Sequence, residues 1–119
     1  MSGPREIIAA LGRSGNTAGI VAHLAATGPS SADEISRVFS LTRTGARKQL
    51  VRLDAAGVVE LEDRSFRIIA GIREHRYYLD PDALRYAARW LDTLADRADR
   101  ADRALRDAAI APMAGGRTR

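Results

Sequence analysis

The chain has 119 residues, 45% of them hydrophobic and 29% charged, which is the length of one ordinary domain and the balance of a folded one. It holds no cysteine, which excludes disulfides, thiolate metal sites and cysteine nucleophiles. Its 19 basic and 15 acidic residues give a net charge of +4, and no apolar run approaches the roughly 20 residues of a membrane span.

The opening Met1-Ser2-Gly3-Pro4-Arg5-Glu6 shows no basic patch before an apolar stretch, so a cytoplasmic protein without a signal peptide or membrane contact is expected. Eighteen of the 19 basic residues are arginines, a preference that a GC-rich genome alone would also produce. Their placement carries more information. From Ile35 to Leu53 stand Arg37, Arg43, Arg47, Lys48 and Arg52 with no acid among them, whereas residues 80–110 hold six arginines against seven aspartates. The positive field is therefore local to the middle of the chain.

Taken in chain order, Pro4 suits the first turn of a helix over 4–11 with an Ile7, Ile8 and Leu11 stripe. Asn16 is placed to cap a second helix over 17–26, with Ile20, Val21 and Leu24 apolar, and Gly28-Pro29 ends it. Ser31 and Glu34 have capping-box spacing ahead of a third helix, 32–39, expected to bury Ile35, Val38 and Phe39. After a short turn Thr42 can cap a fourth helix over 43–55, with Ala46, Leu50 and Leu53 inward and Gly57 as the left-handed stop. The period then changes. Residues 58–62, 66–70 and 75–79 favour strands, and 71–74 reads as a hairpin turn between the last two. Asp80-Pro81 opens a last helix of about 81–110, some ~43 Å long, more than a compact domain of this size can cover. One domain over 1–110 is expected, with 111–119 a flexible tail.

In that last helix Leu84, Ala87, Leu91, Leu94, Ala98, Ala101, Leu105 and Ala108 recur at alternating spacings of three and four, a heptad seam suited to pairing with a second copy. An amphipathic helix packing on its own domain would also use part of this seam, and the half with Leu84, Trp90 and Leu91 suits that. The Ala-Asp-Arg repeat over 95–103 places Asp96–Arg100, Asp99–Arg103 and Asp102–Arg106 one turn apart.

The third and fourth helices with their short turn have the form of a helix-turn-helix, in which the second helix enters the DNA major groove. Arg43, Thr44, Arg47 and Lys48 lie on the outward side near its start, suited to reading bases; Arg37, Thr42 and Arg52 are better placed for phosphates. A solvated basic face on an ordinary helical hairpin would look the same by periodicity. The strands and long helix that follow add the order of a winged helix: a mainly α chain with a small β-hairpin, of α+β class, ending in a dimerisation helix. The wing arginines Arg73, in the hairpin turn, and Arg76, on the strand after it, are further candidates for the DNA backbone.

The run from Ala32 to Val59 resembles the core of bacterial ArsR-type winged-helix transcriptional regulators, most specifically in Leu50-x-x-Leu53-x-x-Ala56-Gly57-Val58-Val59. Residues 73–84 resemble the second wing strand and the start of the last helix in that family, and the likeness spans about Ala18 to Leu94. It implies a repressor on double-stranded DNA; with the last helices paired, a homodimer on an inverted-repeat operator is expected, its signal a small molecule, a protein partner or protein concentration alone. The sequence departs from the pattern at Ser40, a turn position often held by glycine, where serine is tolerable if its backbone φ is negative. Gln49 stands where many relatives carry histidine. With no cysteine and no histidine after His75, the metal sites of the family's sensors are not supported, and no cofactor is implied.

A phosphate loop, a nucleophile elbow and a paired-histidine zinc motif are all lacking, so no enzyme is expected. The competing class is a winged-helix protein–protein module, which predicts an exposed helix less basic than this one.

Overall fold

The computed structural model of the chain describes residues 2–62, 67–69 and 72–114, with side chains omitted for 67–69, 72–74 and 110–114. It is mainly helical with a small antiparallel sheet, an α+β arrangement as expected. The elements are α1 (Pro4–Leu11), α2 (Thr17–Thr27), β1 (Ser30–Ser31), α3 (Ala32–Val38), α4 (Arg43–Ala55), β2 (Val59–Leu61), β3 (Arg67–Ile69), β4 (Ile72–Glu74), β5 (Arg76–Leu79) and α5 (Pro81–Ala114). They divide into two compact units, Met1–Ala87 and Ala88–Arg119, so α5 belongs to the first by its opening turns and to the second by the rest.

The first unit is built around one core. Ile20, Ile35, Leu50, Leu53, Val58 and Val59 are essentially fully buried, joined by Ile7, Leu24, Ala46 and Tyr77 and by Ala87 of α5. Each large aliphatic side chain so buried contributes on the order of 1.5–3 kcal/mol. Helix ends follow local chemistry. Ser31 Oγ accepts from the Glu34 amide at 3.1 Å while the Ser31 amide donates to Glu34 Oε1 at 3.0 Å, a complete capping box. Thr42 Oγ1 accepts from the Gly45 amide at 2.9 Å and caps α4. Gly57, at φ 80°, takes the left-handed conformation that stops the chain after α4. Asp80 Oδ1 accepts from the Asp82 amide at 3.0 Å at the head of α5.

Several expectations need correction. Asn16 makes no side-chain cap; its backbone is already helical, and the Thr17 amide bonds the Ser14 carbonyl instead. Val38 is 54% exposed, and Ser36 takes the buried place. At 100° per residue Ala32, Ile35, Ser36 and Phe39 share one side of α3, and Val38 falls well outside it. Ser40 has φ 53°, not a negative value: the four-residue link from α3 to α4 uses a left-handed residue where no glycine is supplied.

The sheet also differs from expectation. Residues 72–74 are a strand, not a turn: β3 and β4 pair with each other, Arg67 opposite Glu74 and Ile69 opposite Ile72, while 66, 70 and 71 lie outside the described residues. β5 is the middle of a separate three-stranded antiparallel sheet in the order β1-β5-β2, with Val59 opposite Leu79 and Ser30 opposite Tyr77. The Ser30–Ser31 strand was not visible in the sequence, since two serines read first as a cap. Alternation on β5 holds as expected: Tyr77 is buried, and Tyr78 turns outward, its hydroxyl bonded to Glu60.

α5 runs to Ala114, four residues past the expected end, and the remaining 115–119 of the expected tail lie outside the described residues. Of its three expected ladder pairs only Asp102–Arg106 closes, at 3.0 Å; an added pair, Asp82–Arg85, also measures 3.0 Å. Among the described residues no helix is long and apolar enough to cross a membrane.

Candidate nucleic-acid interface

α4 has two sharply different sides. Ala46 and Leu50 are fully buried and Leu53 nearly so, which fixes the rotation of the helix in the first unit. That rotation turns Arg43, Thr44, Arg47, Lys48, Val51 and Arg52 outward, all exposed. Arg43, Arg47 and Val51 form one row along the helix; Thr44 and Lys48 form the next. Among the described residues, Arg47, Lys48 and Arg52 form no ion pair.

Two of the expected contact arginines are held differently. Arg37 and Arg43 both reach Asp33 near the start of α3: Arg37 bonds Oδ2, and Arg43 Nη2 lies 3.2 Å from Oδ1. Partial desolvation of Asp33 favours its neutral form, but the hydrogen bond from Arg43 and the charge and hydrogen bond of Arg37 outweigh it. The carboxyl is held below its ordinary value and stays ionised. The side chains remain 67% and 76% exposed for Arg37 and Arg43, so both pairs are open to water and to competing anions.

The other expected contacts divide. Arg52 and Thr42 are exposed, and the Thr42 hydroxyl, while accepting from Gly45, still has its own proton to donate. Arg73 stands in β4 opposite Ile68, with its side chain outside the described residues. Arg76 occupies a different place from the expected one. It is only 21% exposed, donates to the Pro29 carbonyl at 3.0 Å and lies 3.8 Å from Glu62, close enough for an ion pair but too far for a hydrogen bond. Its guanidinium ties the β1 entry to β5 and is not displayed for phosphate.

Of the expected dimerisation residues, Ala87 is buried at 4% exposure and Leu84 packs against the same core, so the first unit uses them itself. Leu91, Leu94 and Leu105 are exposed at 49%, 37% and 71%, and Ala98 and Ala101 are exposed between them.

The places of two residues escaped the sequence reading. Gln49 Oε1 lies 3.1 Å from both Ser14 Oγ and Thr17 Oγ1, which are 3.0 Å from each other; Thr17 is 2% exposed. This triangle ties the middle of α4 to the α1–α2 junction. Val51 is the second, an apolar side chain 45% exposed in the row of Arg43 and Arg47. Its signal was present in the spacing, four residues after Arg47 and three after Lys48, but a valine in an apolar-periodic stretch reads first as core. His23, by contrast, packs its ring edge against Phe39 at 5.9 Å between centroids, a packing role.

No protein-family model, curated protein or solved structure was found to match this chain.

Proposed function

We propose that this chain is a sequence-specific regulator of transcription, an ArsR-like winged helix-turn-helix protein that binds double-stranded DNA as a homodimeric repressor. In this reading α3 braces, α4 lies in the major groove, and β2, β5 and the β3–β4 hairpin form the wing. The observation that carries it is the outward face of α4. Arg43, Thr44, Arg47, Lys48 and Arg52 are exposed together on a helix whose opposite face is locked into the core. Arginine suits that place because its planar fork bonds guanine O6 and N7 together.

The roles divide by position. Arg43, Thr44, Arg47 and Lys48 read base edges. Arg37, Thr42, Arg52 and Arg73 hold the backbone, with the Thr42 hydroxyl beside the exposed amides at the start of α4. Val51 offers an apolar contact of the kind a thymine methyl takes. Paired α5 helices bring two such faces to successive major grooves of an inverted repeat, ~34 Å apart. Occupancy of a promoter by the dimer excludes polymerase; an effector that lowers DNA affinity relieves it.

The test is binding of the purified protein to random-sequence duplex DNA at two salt concentrations, followed by selection and sequencing of the bound pool. A dimer that neutralises ~8 phosphates gives a log–log salt slope of about −7, and an inverted repeat is enriched. Binding no stronger than that of an unrelated protein of equal charge contradicts the proposal.

A further inference from the structure

The outward face of α4 has a wall on either side. At 100° per residue Arg43 and Arg47 fall toward one edge of that face, and Gln49 and Arg52 toward the other. α3 bounds the first edge, where Arg43 and Arg37 share Asp33. The α1–α2 junction bounds the second, where Gln49 Oε1 lies 3.1 Å from both Ser14 Oγ and Thr17 Oγ1. Arg13, next to Ser14, is exposed and forms no ion pair among the described residues. Gln49 is half-buried. Its carbonyl end is engaged on the two hydroxyls, while its Nε2, with two N–H donors, bonds nothing among the described residues. Gly12 and Gly15, on either side of Arg13 and Ser14, are exposed and add no side chain that would hold a ligand off.

We propose that Arg13 and the Gln49 amide bind a phosphate of the DNA strand that runs along the second edge, so that the two strands beside α4 are held by different parts of the fold. The reason is geometric. A helix in the major groove, about 12 Å wide, has a sugar–phosphate strand on either side of it. The α3 wall, with Arg37, meets one strand; the α1–α2 junction meets the other. A guanidinium supplies charge, and an amide N–H supplies a directed bond to a phosphate oxygen. Arg52, exposed toward the same edge, adds a second cation. Neither Arg13 nor the Gln49 amide has a carboxylate to leave first, whereas Arg37 and Arg43 both do. The triangle of Gln49, Ser14 and Thr17 fixes the spacing between the junction and α4. A strand seated on Arg13 therefore sets how deeply α4 enters the groove. Such a contact carries no sequence information; Arg13 and Gln49 position the residues that read bases.

This deepens the DNA reading of the proposed function and rests on it. The test compares wild type with Arg13→Gln on the selected operator and on an unrelated duplex, over a range of salt. Arg13→Gln is expected to weaken binding severalfold on both duplexes alike. Its salt slope falls by about one for each protomer, from about −7 to about −5 for a dimer, and its discrimination between the duplexes stays as in wild type. Arg85→Gln removes the same charge far from α4 in sequence and is expected to leave the slope near the wild-type value. Gln49→Glu keeps the acceptor for both hydroxyls and turns the donor end into a carboxylate oxygen. It is expected to weaken binding to every duplex while circular dichroism shows the protein folded; a folded Gln49→Glu that binds as wild type does removes Gln49 from the site. The strand is identified with operators that carry one uncharged methylphosphonate linkage, moved along each strand in turn. The linkage that weakens wild type but no longer weakens Arg13→Gln is expected on the strand opposite the one that Arg37→Gln identifies in the same groove. Both linkages on one strand overturn the proposal. A wild-type protein that selects an operator while Arg13→Gln matches it in affinity and slope contradicts the Arg13 contact alone. A wild-type protein that binds no duplex contradicts the DNA reading, and this contact with it.

Discussion

Arg43 donates a hydrogen bond to Asp33 at 3.2 Å, across ten residues of chain, so the first basic residue of α4 rests on the helix that packs beside it. Arg37 binds the other oxygen of the same carboxylate. One acid thus occupies two arginines that the proposed function sends to DNA. A phosphate or guanine approaching this face competes with Asp33 for both. Replacing Asp33 with asparagine keeps the shape and removes the competitor. DNA affinity is expected to rise severalfold, with a steeper salt dependence, because more cationic groups are free to displace counterions. Titration of labelled duplex at several salt concentrations checks this; an affinity unchanged or lowered contradicts a competing role for Asp33.

The same carboxylate makes a prediction in pH. Its folded value lies below the reference of 3.8. A carboxyl depressed on folding adds stability that is present above its unfolded value and is lost as pH falls through the folded one. The wild-type chain is therefore expected to lose its stability advantage over Asp33→Asn as the pH drops below about 4. Denaturant unfolding of both proteins from pH 7 to pH 2.5 measures the gap. A gap that stays constant over that range rules out the ion pairs as its source.

Ser40 holds φ at 53°, a left-handed conformation that costs a residue with a Cβ roughly 1–2 kcal/mol. Glycine removes that cost but brings more entropy to the unfolded chain, about 0.5–1 kcal/mol. Ser40→Gly is expected to stabilise by up to ~1 kcal/mol, which raises Tm by a few degrees. Ser40→Val, branched at Cβ, is expected to lower it. Calorimetry on the three proteins gives the order, and a Ser40→Gly variant less stable than wild type contradicts the strain.

Gln49 Oε1 serves two hydroxyls, and Thr17 is nearly fully buried. Gln49→Ala leaves the Thr17 hydroxyl without its α4 partner, at a cost of about 1–3 kcal/mol. Gln49→Glu keeps an acceptor for both hydroxyls and is expected to retain more stability than alanine. Urea unfolding separates the two; equal losses point to packing of the side chain, not to the hydrogen bonds.

What the sequence disclosed was mostly local. Ser31 and Glu34, Thr42 with its following amides, and Gly57 act within four residues of themselves, so spacing alone places the ends of α3 and α4. The inward face of α4 was legible because Ala46, Leu50 and Leu53 repeat at helical spacing. Val38 was misread because α3 spans only seven residues, too few for the period to choose between neighbouring stripes. The misses have longer reach. Arg43 on Asp33, Gln49 on Thr17 and Arg76 on the Pro29 carbonyl join residues 10, 32 and 47 apart, and no pattern within a window encodes them. The strand at Ser30–Ser31 exists only because β5 pairs with it, so tertiary contact, not propensity, makes it. In the interface the basic residues were legible as composition; their commitments were not, and the guanidinium of Arg76 serves the sheet instead of the exposed face.

The central claim is that the exposed row of α4 reads sequence, and Arg47 stands in that row with no ion pair among the described residues to give up. The most direct measurement compares wild type and Arg47→Ala on the selected operator and on an operator mutated at one base pair. The account predicts that the substitution costs ~1–3 kcal/mol on the selected site and relaxes discrimination at one position. Equal discrimination by the two proteins at every position would contradict it.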